Sequence, residues 1–215
     1  MTDIRYTLIS DGSSDRILIP ILNWLLEVLC KESAIQPQWA DLRGLKNPPK
    51  SLPERLKCAI DYYPCNFLFI HRDAESQNPS ERKREIMTAL EESAVIPPAV
   101  CVVPVRMSEA WLLLNDRAIR TAVGRPSGRV QLQLPSADRA EHTPDPKEVL
   151  FQALRDASEC TGRRLNNLNE RVLRYRVAEL IDDYSILRRL SAFQQLEDDL
   201  TIELKKLGWF SPNPL

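Results

Sequence analysis

Asn66–Ser76 reads NFLFIHRDAES. Phe67–Ile70 are apolar or aromatic, and the run then turns abruptly to His71, Arg72, Asp73 and Glu75. A short continuous apolar run bounded by polar residues predicts a strand covered on both faces. Two acids, two residues apart, stand where that strand leaves the core. Working outward, Ile4–Ser10 (IRYTLIS) is a second β-rich run, broken by Asp11-Gly12-Ser13-Ser14-Asp15. Arg16–Lys31 repeats apolar residues at helical spacing: Ile17, Ile21, Leu22, Leu25, Leu26 and Leu29. Ser13 or Ser14 suits its cap, Asp15 its first turn, and Pro20 is tolerated near the start.

The same reading continues down the chain. Pro37–Arg43 is a weak strand at or near an edge, Asn47–Pro53 a loop with three prolines, and Glu54–Tyr63 a helix. Ser80–Ser93 is an amphipathic helix with Ile86, Met87 and Leu90 inward and SERKRE outward, as a solvated face. Ala99–Val105 is a buried strand in which Pro104 ends the run or removes a ladder bond. Glu109–Asn115 (EAWLLLN) opens a further helix. Strand and helix alternate four times, which predicts an α/β fold with a mostly parallel sheet and helices on both faces. Beyond residue 123 the texture changes. Residues 124–146 read as a loop, and only helical patterns follow: Lys147–Ala157, Leu168–Asp182 and Ser185–Leu207. The expected organisation is an α/β domain over 1–123 and a C-terminal helical appendage over 147–215, packed on the same core.

Composition narrows the functional classes. The 215 residues are 43% hydrophobic, enough for a core. There is no apolar run of about 18 residues that would span a membrane. The opening MTDIRYTLIS lacks the cationic lead-in of a secretory signal. Five cysteines without CxxC spacing read as reduced thiols of a cytoplasmic protein. The two histidines, His71 and His142, stand apart in sequence and do not suggest zinc. A net charge of −1 gives no global attraction to nucleic acid.

The acids carry the chemistry. In an open parallel sheet, ligands bind beyond the carboxyl ends of the strands, where the strand order reverses. Asp11 and Asp15 follow the first strand, Asp73 and Glu75 the third, and Glu109 the fourth. Strands lie about 4.8 Å apart, so these carboxylates converge on one cleft. Like charges there repel, and hard oxygens without nitrogen or sulfur partners suit Mg²⁺ or Mn²⁺. Each acid alone also reads as an ordinary turn or helix-start residue. It is the shared placement that points to a metal. No GxxxxGK[ST] loop is present, so the chain is not itself a P-loop ATPase.

These motifs resemble the Toprim domain of topoisomerases, primases and nucleases. Asp11-Gly-Ser-Ser-Asp15 stands where that family has its Glu-Gly motif, and Asp73-Ala-Glu75 where it has DxD. Ser108-Glu109 followed by AWLLLND is similar to the EAWLL-type segment of small bacterial Toprim-like proteins related to the overcoming-lysogenization-defect nucleases. Asp145-Pro146-Lys147-Glu148 looks like that group's Pro-Lys step. The chain departs from the pattern in having Asp11 in place of Glu, D-x-E in place of D-x-D, and serine directly before Glu109. The resemblance implies a Toprim-like, Rossmann-like fold and Mg²⁺-dependent phosphodiester cleavage of DNA or RNA. It implies metal held by Asp11, Asp73 and Glu75, with Asp15 and Glu109 completing the shell, and Lys147 or Arg72 assisting at the phosphate. Arg106 is a phosphate clamp or a salt-bridge partner of the acids. The implied setting is anti-phage defence beside a partner ATPase. The alternative is a Toprim-like module that binds nucleic acid or a partner and does not cut. The arginine-rich Arg163–Arg189 region reads first as salt-bridged surface, with a cleft wall or a contact between copies as its other roles.

Overall fold

In the computed structural model, described over residues 2–75, 78–95 and 97–212, Phe67–His71 forms β3, and all five residues are buried. β1 (Asp3–Ile9) lies on one side of it and β4 (Ala99–Val102) on the other. β2 (Ala34–Trp39) flanks β1, giving the order β2-β1-β3-β4 with every pair parallel. The expected neighbours, first strand beside third, are the ones observed. Pro37 is accommodated because β2 is an edge strand. The strand itself begins three residues earlier than the sequence suggests, since Ala34 already pairs with Asp3.

The helices are α1 (Leu18–Leu29), α2 (Leu52–Tyr62), α3 (Pro79–Ser93), α4 (Asp116–Ala122), α5 (Ala137–Ala140), α6 (Pro146–Ser158), α7 (Gly162–Asn166), α8 (Glu170–Glu179) and α9 (Ser191–Lys206). Alternation along β3 sorts the core into two layers. Phe67 and Phe69 join Tyr6, Leu8, Val100 and Val102 against α1, α4, α6, α8 and α9. Leu68 and Ile70 join Ile9 and Cys101 against α2 and α3, through Leu56, Ala59, Ile86 and Ala89. Residues beyond 146 thus fill the larger layer: Leu150, Leu154, Val177, Phe193, Leu196 and Leu200 belong to the same buried cluster as the strands.

Several local expectations are corrected. Ser13–Ile17 is a 3-10 turn, and the helix proper starts at Leu18 with no side-chain cap. Asp15 rather than a serine accepts from the Gly12 N–H, at 3.0 Å. Ser108–Leu112 is also a 3-10 turn, so EAWLLLN does not form one α-helix. Met87 points outward, and Ala89 takes its expected place inside. The single helix expected over Ser185–Leu207 is broken at Leu190, whose backbone is extended between a 3-10 turn and α9. The stretch expected as loop contains α5, and α7 precedes α8. Trp111 is fully buried, and Trp209 packs on Phe67 with ring centroids 6.3 Å apart. No helix among the described residues is long and apolar enough to cross a membrane.

Phe193 of α9 meets Trp111 edge-to-face at 5.5 Å and lies beside Trp24 at 6.4 Å. Truncating it opens a cavity between the helical region and the sheet layer. Phe193→Ala is expected to cost about 3–5 kcal/mol. Loss of near-UV and far-UV circular dichroism in urea is expected to occur in one transition, because both parts share that cluster.

Candidate functional site

The carboxyl ends of β1, β3 and β4 open into a charged mouth. The loop after β1 places Ser10, Asp11 and Asp15 there. Asp11 is exposed and gripped by two arginines: Arg55 of α2 at 2.5 Å and Arg72 at 3.2 Å. Burial acts to raise the Asp11 carboxyl, but the two guanidinium groups outweigh it and hold it below the ordinary aspartate value. Arg55 also donates to the Ser10 carbonyl. Arg72 reaches on to Glu85, which pairs with Arg82, and Arg82 donates to the Asp73 carbonyl at 3.2 Å. An alternating chain of charge therefore rims the cleft. The SERKRE segment is part of it rather than a merely solvated face, and its Lys83 pairs with Asp199 of α9 at 2.5 Å.

Deeper in, His71 closes β3, buried. Its Nδ1 lies 2.9 Å from the Val102 carbonyl, which can only accept, so the hydrogen sits on Nδ1 and Nε2 faces the acids. Nε2 stands 3.4 Å from Asp73 and 4.0 Å from Asp15. The histidine that looks isolated in the sequence is thus the inner counterpart of two of the predicted acids. Asp15 is buried, held by the Gly12 N–H and the Ser14 hydroxyl. Asp73 accepts the Ser108 N–H at 3.0 Å. Its carboxyl is pushed up to about 6, first by burial and then by the charges of Glu109 and Asp15, against the opposing pull of His71.

Glu109, at the first turn after β4, is buried and paired with the equally buried Arg174 of α8. That arginine lies in the stretch expected to be salt-bridged surface, and this member of it is interior. Sequence reasoning missed Arg55 and Arg174 as site residues because each is distant in the chain from the acid it holds. For His71 a signal existed: it is the polar end of an otherwise apolar buried run. Glu75 is exposed on a left-handed turn with φ 54°. Its N–H donates to the Arg106 carbonyl, so Arg106 meets the acid loop through its backbone. Lys147 lies over the Phe151 ring at 6.0 Å rather than against the acids.

Tested as a metal site, this arrangement is mixed. The donors are hard oxygens, and the Asp73 carboxyl is raised first by burial and further by its acidic neighbours, against His71. Asp15 and Asp73 fit a divalent cation in chemistry. Both Asp11 oxygens and Oε1 of Glu109 are committed to arginines, and among the described residues no group of three or more His, Cys, Asp or Glu side chains is arranged to hold an ion. The chain matched no family model, no curated protein and no solved structure.

Two outcomes follow from the charge balance. The folded protein holds the Asp73 proton more tightly than the unfolded chain. Its favourable contribution is therefore complete below about pH 4 and lost as pH rises through about 6. Asp73→Asn should exceed wild type in urea stability by about 2–3 kcal/mol at pH 7.5, with the gap closing toward pH 4. Arg174→Met strands a buried carboxylate and should cost about 3–5 kcal/mol. The double variant Arg174→Met/Glu109→Leu should recover most of that loss in the same denaturation assay.

Proposed function

We propose that the mouth binds a nucleic-acid phosphodiester and cleaves it with a divalent cation, Mg²⁺ or Mn²⁺, in a Toprim-like α/β fold. The observation that supports this most is Asp73: a half-buried carboxylate just beyond the end of β3, raised to about 6, with Glu109 and Asp15 adding repulsion. Asp73 and Asp15 would hold the cation, and Asp11 would join on release from Arg55 and Arg72. When bound, the ion lowers the pKa of a water and offsets charge on the phosphate oxygens. Arg72 and Arg55 stand at the rim, where a released guanidinium suits a phosphate oxygen pair. His71 Nε2, held in orientation by Val102, lies within reach of the Asp73 carboxyl and serves to hold a proton there. A setting in anti-phage defence beside an ATPase, in the cytoplasm, belongs to the same proposal and rests on the resemblance.

A second reading is a module that binds nucleic acid without cutting it. The arginine-held oxygens of Asp11 and Glu109 favour it.

The test is cleavage of plasmid and single-stranded substrates with Mg²⁺, Mn²⁺ or EDTA. Wild type should cut only with metal, and Asp73→Ala should lose at least about 100-fold of that activity, in line with removal of a charge-stabilising group. Calorimetric titration of Mn²⁺ should show binding that Asp73→Ala lacks. If wild type neither cuts nor binds metal yet retains oligonucleotides, the non-cutting reading replaces this one.

A further inference from the structure

The β2 side of the mouth carries a concentration of arginine and aromatic groups that the acid site does not use. Trp39, the last residue of β2, donates from Nε1 to the Ser10 hydroxyl at 3.0 Å, which fixes it to the loop bearing Asp11. Two guanidinium groups lie over its ring: Arg43 at 5.2 Å and Arg16 at 5.7 Å from the centroid. Both arginines are exposed. Arg43 is also held by Asp41 at 2.9 Å and by the Ser13 hydroxyl at 3.2 Å. Two cavities flank this stack. One, of about 230 Å³, runs from Trp39 and Arg43 past Lys50 and Arg55 to Asp11. The other, of about 740 Å³, runs from Ser13 and Arg16 to Tyr175 and Arg176 of α8. Tyr175 is pinned by its hydroxyl to the Ser13 carbonyl, so the wall made by α8 is fixed to the same loop. Arg16 faces the carboxylate of Asp41 and Lys50 that of Glu54, and Arg176 adds a third positive charge along the same face.

We propose that these two cavities are one track for single-stranded nucleic acid, leading across the Arg16–Trp39–Arg43 stack to Asp11. The proposal rests on reading the mouth as a phosphodiester site, and it names the strand form and the residues that hold it. The whole chain carries a charge of −1, so the attraction is local to this face. Guanidinium groups held over an indole are already ordered, and less freedom is lost when they meet a phosphate or a base. Their outward edges, with Lys50 and Arg176, suit the phosphate backbone, while the Tyr175 ring suits an unpaired base. A duplex keeps its bases paired and cannot present them to the groups that line these two cavities.

The experiment is fluorescence anisotropy of a labelled oligothymidylate in EDTA, across a salt series. It compares wild type, Arg16→Gln/Arg43→Gln and the remote control Lys206→Gln, with melting curves to confirm folding. Wild type should bind the strand more tightly than a duplex of equal length. The double variant should bind about 10-fold or more weakly, with a log–log salt slope shallower by about 1.4, as expected for two lost phosphate contacts. The control should bind as wild type does. No binding by wild type, tighter binding of the duplex, or unchanged affinity in the folded double variant overturns the track. Binding without cleavage leaves the track standing and removes the nuclease reading. Cleavage with unchanged binding in the double variant does the reverse.

Discussion

A strand buried at every position must be covered on both faces, and β3 imposes that requirement on the whole molecule. α2 and α3 supply one cover through Leu56, Ala59, Ile86 and Ala89. The other cover cannot be made by α1 alone. It draws in the helices beyond residue 146, whose Leu150, Val177, Phe193 and Leu200 sit in the same cluster as Phe67 and Phe69. The C-terminal helices are therefore a structural layer of the α/β unit, which is why α8 and α9 reach the edge of the cleft.

The same constraint concentrates charge. With both faces closed by apolar side chains, polar groups at the strand ends have one exit, the carboxyl edge of the sheet. Five acids and their partners gather there, and the protein balances them in two ways. At the rim, exposed Asp11 and Glu85 share Arg55, Arg72 and Arg82. Deeper in, Glu109 has Arg174, while among the described residues Asp15 and Asp73 are met by backbone donors, one hydroxyl and His71. The imbalance is greatest at Asp73, whose carboxyl is raised to about 6.

The parts of this arrangement that depend on neighbouring residues were legible in the sequence. NFLFIH shows its burial in its own composition, and the alternation of strand and helix led to a parallel sheet with the first strand beside the third. The gathering of acids at the strand ends followed from that topology. What was not legible were the partners. Arg55 lies 44 residues from Asp11, and Arg174 lies 65 from Glu109, so no local pattern links either pair. Arg174 sits among arginines that do face solvent, and only the packing of α8 against the strand ends singles it out. Glu75 and Lys147 stand at motif positions, yet Glu75 is exposed on a left-handed turn and Lys147 lies over an aromatic ring. The break at Leu190 has no glycine or proline to announce it.

The double attachment of α8, by Tyr175 to the Ser13 carbonyl and by Arg174 to Glu109, also sets an order in time. A chain emerging from the ribosome has all four strands once residue 102 is free, but Glu109 lacks its partner until residue 174 has followed. Throughout that interval the cleft carries an uncompensated carboxylate and lacks one wall. The Glu109–Arg174 pair and the α8 wall thus come roughly seventy residues of translation after the last strand, several seconds or more at ordinary elongation rates, with α9 still to follow.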